Sequence, residues 1–385
     1  MISGESIKSM IIQQVSKEGA MVVQAADVGM NTEAVTRVES LFREQIENGT
    51  HPGAALAVYR HGKLVLDLHG GISNAETGEP VTEDSMFVLM SSTKPLAAAC
   101  LALLKERGKL AYNDRVVKYW PEFGKNGKES VTIRQVLTHT AGMPETPEDL
   151  TWDKWGDWDT VVRAMENATP KFAPGAEIAY HSMNFGWLIG ELVRRIDGRP
   201  FPQFLREEIT GPLAMNDTYV GLPAELESRV CRMHAMEDAG DSTTPSTFSR
   251  SEVHRAVVPG AGGIATARDV ARFYAMLEQR GTLDGLRVLA PETVADLTML
   301  QVEGNDRTIN QSVRRTLGLM LGVYRMGTTA DDYESFGHGG AGTSICWANH
   351  RLGLAVVIIT NGFRAAATNE PRLYALSKAV REACN

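Results

Sequence analysis

The hydrophobic positions of this chain change period several times along its length. From Asn31 or Thr32, the residues Ala34, Val35, Val38, Leu41, Phe42 and Ile46 recur at helical spacing and predict an amphipathic helix. "AALAVYR" (54–60), the turn "HGK" and "LVLDLHG" (64–70) then read as a β-hairpin. The stretch Pro95 to Leu104 contains no polar residue. It is too short to span a bilayer, so it predicts a helix buried on all sides.

Between about Tyr112 and Val253 the pattern is helical and loop-rich, with "TIRQVLTHTAG" (132–142) and "FGWLIGELVRRIDG" (185–198) as its clearest segments. A further helix follows within 262–281. Two strand-like runs then flank "NHRLG" inside 336–362, and a terminal helix closes the chain near Leu373 to Ala383. Strands come first and last, with helices between, and the strands are joined by hairpins rather than crossover helices. This predicts an α+β fold: a mostly antiparallel sheet flanked by helices, with an inserted helical domain. The expected boundaries are an N-terminal extension at 1–30, where periodicity is weak, a sheet domain from 31–111 and 254–385, and the helical domain at 112–253.

Composition narrows the function. The 385 residues are 43% hydrophobic and 22% charged, with a formal net charge of −8. Such a chain has ample material for a buried core. Without a dense Lys/Arg block, neither a nucleic acid nor an anionic membrane is the expected partner, and small-molecule chemistry is the better expectation. The N-terminal stretch holds a short apolar run, Met10 to Ile12, where a secretory signal needs about seven residues, so a cytoplasmic address is expected. Cys100, Cys231, Cys346 and Cys384 are far apart and form no CxxC pair, so they read as buried or incidental thiols. No metal set of the HExxH or EF-hand type is present, and neither a metal nor a cofactor is expected.

The candidate chemistry begins at "VLMSSTKPLAAACLALLKERG" (88–108), where Ser91, Ser92 and Lys94 stand at the mouth of the apolar helix. Successive helical residues turn about 100°, which puts Lys94 roughly 60° from Ser91 and roughly 160° from Ser92. Ser91 and Lys94 therefore share a face. Ser91 is the candidate nucleophile, and Ser92 reads as a cap for first-turn amides. Serine attacks a carbonyl only when a base takes its proton, and a lysine serves if desolvation lowers its pKa. The S-x-x-K spacing alone is a weak signal.

Tyr180, between a Pro-Gly turn and a helix, is a second candidate, because a phenol close to an ammonium ionises more easily and can exchange a proton with serine. "FGHGGAG" (336–342) is a third. It matches G-x-G-x-x-G through Gly337, Gly339 and Gly342, yet a strand-like run follows and no acidic residue stands about 20 residues on. Its glycines are better suited to letting a substrate approach a strand backbone. His139 reads as a structural residue at a helix end. Trp152, Trp155 and Trp158 recur every third residue and suit either helix packing or the wall of an acyl pocket.

S-x-x-K at 91–94, a Tyr-led motif at 180–182 and a glycine motif at 338–340, in this order, resemble the serine β-lactamase and penicillin-binding protein superfamily, in particular its class C-like family VIII carboxylesterases. "PGAALAVYRHGKLVLDLHGG", "YHSMNFGWLIGELVRR" and "GGIATARDVARFY" carry the same resemblance, which spans about residues 35–380. It implies a β-lactamase/DD-peptidase-like fold. It also implies Ser91 as the acylated nucleophile, Lys94 and Tyr180 as its proton-handling partners, and an oxyanion hole from the backbone N–H groups of Ser91 and Ala341. Ser182, His338, Gly339 and Gly340 are the implied substrate-binding residues.

Two departures from that pattern matter. Tyr180-His181-Ser182 stands where the lactamases carry Tyr-x-Asn, and His338-Gly339-Gly340 where they carry Lys-Thr-Gly or similar. A histidine is mostly neutral at pH 7, so the strand loses its obligatory cation and neutral esters are favoured. The resulting expectation is a carboxylesterase acting on a small-molecule ester. Acyl transfer, β-lactamase or DD-peptidase activity, and an inactive scaffold remain as alternatives.

Overall fold

The computed structural model describes residues 21–329 and 332–384; the part of the expected extension at 1–20 lies outside them. Its centre is a nine-stranded sheet, antiparallel throughout. The strands are β1 (Gly53–Arg60), β2 (Lys63–Asn74), β3 (Glu79–Pro80), β4 (Val302–Asp306), β5 (Gln311–Arg315), β6 (Met320–Leu321), β7 (Ser335–Gly340), β8 (Ser344–Asn349) and β9 (Leu354–Thr360). Their spatial order is β4-β5-β6-β7-β8-β9-β1-β2-β3. The predicted hairpin is β1–β2, and β1 pairs with β9 from Ala54↔Thr360 to Arg60↔Leu354, so the two ends of the chain share one sheet as expected.

Alternation along these strands feeds two cores. Ala55, Ala57, Val357 and Ile359 point to one face; Ala54, Leu56, Val356 and Ile358 point to the other. The second face is covered by α1 (Thr32–Glu47) and the terminal helix α5 (Ala366–Glu382). Asn31 caps α1 by accepting the Ala34 N–H at 2.9 Å, and Val38, Phe42 and Ile46 are its buried stripe. The first face is covered by α2 (Lys94–Glu106) and α4 (Ala267–Glu278), and α3 (Asn184–Asp197) packs on α2. As predicted, α2 is buried from Pro95 to Leu104. Each of its leucines contributes about 1.5–3 kcal/mol by leaving water.

Three boundaries differ from the sequence reading. Residues 21–30 are no free extension: the Val23 N–H donates to the Leu64 carbonyl at 2.9 Å, and Ala25 and Met30 are buried in the α1–α5 core. The segment 112–253 is mostly helix and loop, yet Thr218–Val220 pairs with Gly263–Ala265, which in turn pairs with Phe87–Val88. It thus shares a core with the sheet layer. Helix α5 begins at Ala366 rather than near Leu373, with Pro371 inside it. Among the described residues no helix is long and apolar enough to cross a membrane.

Candidate active site

Ser91 sits in a single 3-10 turn, Met90–Thr93, directly before α2. Met90 holds φ at +49°, an uncommon conformation for a side-chain-bearing residue and a cost of about 1–3 kcal/mol that the surroundings must offset. They do so by stitching the turn to its neighbours. The Thr93 hydroxyl donates to the Met90 carbonyl at 2.7 Å and accepts the Gly263 N–H at 2.9 Å. Ser92, expected to cap first-turn amides, does something else: its hydroxyl donates to the His338 carbonyl at 3.1 Å and meets Ser344 Oγ at 3.1 Å. It ties the Ser91 turn to β7 and β8, because the helix starts in a 3-10 turn whose amides are not presented to position 92.

Lys94 is fully buried, and its Nζ lies 3.2 Å from Ser91 Oγ. The same nitrogen donates to the carbonyls of Ser182 at 2.7 Å and Gly260 at 2.8 Å. A neutral amine has two N–H bonds and one lone pair; with both N–H bonds used on carbonyls, the lone pair is left for the serine hydroxyl. Burial, seconded by the Arg315 guanidinium, lowers the Lys94 pKa well below the ordinary lysine value. The Gly260 carbonyl is in place because Gly186 on α3 lets the 259–260 loop touch the helix. A Cβ at 186 would stand 1.9 Å from the Gly260 nitrogen.

The Tyr180 phenol and the Ser91 side chain face the same cavity, and Lys94 Nζ stands 4.8 Å from the Tyr180 ring centre. Burial pushes this phenol up to about 12, against the opposing pull of the Ser91 side chain and of Arg315. The expectation that a nearby ammonium would ease its ionisation is therefore not met. The amine is itself desolvated toward neutrality, and the phenol keeps its proton at neutral pH. The Tyr180 backbone is pinned from two sides. Its N–H donates to Asp306 Oδ1 at 3.0 Å, and its ring lies 4.7 Å from that of His139. His139, just past the short helix Ile133–Leu137, accepts the His181 N–H on Nδ1 at 3.0 Å, a structural role as expected.

The glycine motif is strand β7. Its neighbour β6 pairs only with Phe336 and Gly337, so from His338 to Gly340 that side of the strand is open. Gly340 lets the strand approach the Ser91 turn: a Cβ there would lie 2.5 Å from the Leu89 carbonyl oxygen. Ser91, Tyr180, His338, Gly339 and Ala341 line one cavity of about 530 Å³. His338 is neutral, since burial lowers its pKa well below the ordinary histidine value. Ser182 contributes its carbonyl to Lys94, while its side chain is exposed and does not wall this cavity.

The three tryptophans are not a cavity wall either. Trp155 packs against Trp187 and Phe248, Trp158 donates to Glu191, and Trp152 lies under Arg250. Helix packing is the reading that holds.

The structure adds residues that no motif marked. Asp306 at the end of β4 and Arg315 at the end of β5 form a buried ion pair, Nη2 to Oδ2 2.6 Å. The cation expected to be missing from β7 is present by another route. Arg325, from the turn Tyr324–Met326, lines the cavity with its guanidinium where a side chain at 339 would be. In the sequence these lie in "GNDRTINQSVRRTLGLMLGVYRMG", where nothing local separates an active-site arginine from a surface one.

The chain belongs to the beta-lactamase family, whose profile, described as "Beta-lactamase", matches residues 38–380. The Esterase/beta-lactamase LipL of Mycobacterium tuberculosis is 31% identical over 344 residues, which cover 80% of this chain and 77% of that protein. Esterase EstB of Burkholderia gladioli is 27% identical over 370 residues, covering 84% and 90%. Among solved structures, a penicillin-binding protein homolog from Caulobacter crescentus superposes with a TM-score of 0.82 at 31% identity, covering 91% of this chain and 98% of that one. A family VIII carboxylesterase does so with a TM-score of 0.81 at 30% identity and the same coverage. The fold is β-lactamase-like, and these similarities support serine hydrolase activity.

Proposed function

We propose that the protein is a serine carboxylesterase that cleaves small-molecule esters through an acyl-enzyme on Ser91. The observation that carries this reading is the 3.2 Å approach of the desolvated Lys94 amine to the hydroxyl of Ser91, which lines the cavity. In the proposed cycle the Lys94 lone pair takes the Ser91 proton as Oγ attacks the ester carbonyl carbon. The carbonyl oxygen becomes an oxyanion held by the backbone N–H groups of Ser91 and Ala341, each worth about 2.7–4 kcal/mol in such a role. The Tyr180 phenol, protonated at neutral pH, relays a proton to the departing alcohol oxygen as the C–O bond breaks. Water, deprotonated by the same pair, then adds to the acyl carbon and releases the acid and free Ser91.

Replacing Ser91 by alanine removes the attacking atom and little else. Ser91→Ala is expected to abolish hydrolysis of p-nitrophenyl butyrate while the circular dichroism spectrum is unchanged. Retained turnover contradicts the assignment.

A further inference from the structure

We infer that Ser344 is a positioning residue that sets the distance between the two halves of the oxyanion hole, with Ser92 as its partner. The inference rests on the reading that the Ser91 and Ala341 N–H groups hold the oxyanion, and it adds what fixes their separation.

The two donors come from elements remote in sequence. The Ser91 N–H belongs to the 3-10 turn before α2, and the Ala341 N–H to the turn from Gly340 to Thr343 that joins β7 to β8. Among the described residues no main-chain hydrogen bond links these two turns. Hydroxyl groups link them instead. Ser344 stands opposite Gly340 in the β7–β8 register and folds its side chain back across the hairpin, where Oγ accepts the Gly340 N–H at 3.1 Å. Its one proton is shared between the Leu89 carbonyl at 3.3 Å and Ser92 Oγ at 3.1 Å. Ser92 in turn donates to the His338 carbonyl at 3.1 Å. Gly340 directly precedes Ala341, and Leu89 and Ser92 flank Ser91 closely, so every one of these bonds ends beside a donor of the hole.

The bridge is dry and tight. Ser92 and Ser344 are both fully buried, so water does not compete for their bonds. A Cβ at Gly340 would meet Ser344 Oγ and the Leu89 carbonyl oxygen together, which leaves β7 no room to move closer to the Ser91 turn. The hydroxyls prevent it from moving away. An oxyanion is stabilised only when both N–H groups reach it at once, and a misplacement of about 1 Å costs on the order of 10²-fold in rate.

The test compares variants that each remove one hydroxyl. Ser344→Ala is expected to lower kcat for p-nitrophenyl butyrate by about 10- to 100-fold, with KM changed by less than about threefold. Butylboronic acid becomes tetrahedral at boron when it takes up Ser91 Oγ, and so imitates the state that carries the oxyanion; its affinity is expected to weaken by a similar factor. Ser92→Ala cuts the other bridge and is expected to act in the same direction, which keeps the inference testable even if Ser344→Ala does not fold. Ser377→Ala is the control for a purely structural loss. It removes a buried hydroxyl that accepts from Trp347 Nε1 at 3.1 Å on the other face of the sheet, so Tm is expected to fall with kcat unaffected. Wild-type kcat in the serine variants, or a fall in kcat without a matching loss of boronate affinity, overturns the inference while Ser91→Ala remains inactive. Turnover retained by Ser91→Ala would instead defeat the acyl-enzyme reading, and the inference with it.

Discussion

Arg315 and Asp306 form a solvent-free ion pair that joins both candidate proton carriers. The carboxylate accepts the Tyr180 N–H at 3.0 Å, and the guanidinium lies 5.0 Å from the Tyr180 ring centre and helps depress the Lys94 pKa. One pair thus sets a position and a protonation state.

The consequence is a shift in pH dependence. Arg315→Met removes a positive charge and leaves Asp306 unpaired, so the Lys94 ammonium becomes easier to form and its pKa rises. The base is then available only at higher pH, and the acidic limb of the kcat/KM profile is expected to move upward. Arg315→Lys, which keeps the charge, is expected to hold the limb closer to wild type. Breaking the pair is also expected to cost about 3–5 kcal/mol of stability, read as a lower Tm. An acidic limb that stays in place in Arg315→Met contradicts this account of Lys94.

Tyr180 bears a proton at neutral pH, so its removal deletes a relay rather than a charge. Tyr180→Phe is expected to lower kcat by about 10²–10⁴, the usual range for a general acid–base group, with the acidic limb unmoved. Wild-type kcat in this variant would remove the phenol from the mechanism.

Gly186→Ala tests how Lys94 is held. Its methyl group meets backbone at Pro259 and Gly260, which cannot give way as a flexible side chain could. The 259–260 loop must shift and with it the Gly260 carbonyl that accepts from Lys94. Stability and kcat are expected to fall together, whereas Gly198→Ala, at a helix end with nothing near its Cβ, should leave kcat unaffected and lower only stability, through its positive φ.

Much of this was legible in the sequence because it is periodic or local. The apolar strand-like runs of β1 and β9, the apolar face of α1 and the Ser91–Lys94 spacing each depend on neighbours within a few positions. What escaped depends on long-range partners. Ser92 reads as a helix cap until β7 and β8 stand beside it. Tyr180 reads as readily ionised until the burial of its site is known. Asp306, Arg315 and Arg325 have no local signature, since an arginine becomes part of the site only when the sheet edge folds over the Tyr180 loop. Residues 21–30 carry too little periodicity to reveal that Ala25 and Met30 are core.

The buried histidines make an acid-stability prediction. Burial is the main cause that lowers the pKa of His51, His139, His181 and His338, with His181 brought down to about 4. These folded values lie below the unfolded one, so the unfolded chain binds more protons. The stabilisation is complete above about pH 6.5 and is lost as pH falls toward the folded values. Each histidine contributes up to about 1.4 kcal/mol per pH unit in that window. Tm is therefore expected to drop clearly between about pH 7 and pH 5, before most carboxylates titrate. A flat Tm over this range contradicts the neutral, buried state of the histidines.

The most direct test of the central claim is peptide-resolved mass spectrometry of protein quenched during turnover of p-nitrophenyl butyrate. The account predicts a butyryl group on Ser91, present in Tyr180→Phe with altered lifetime and absent in Ser91→Ala. Ester hydrolysis with no acyl group at Ser91, or with the group on another residue, contradicts it.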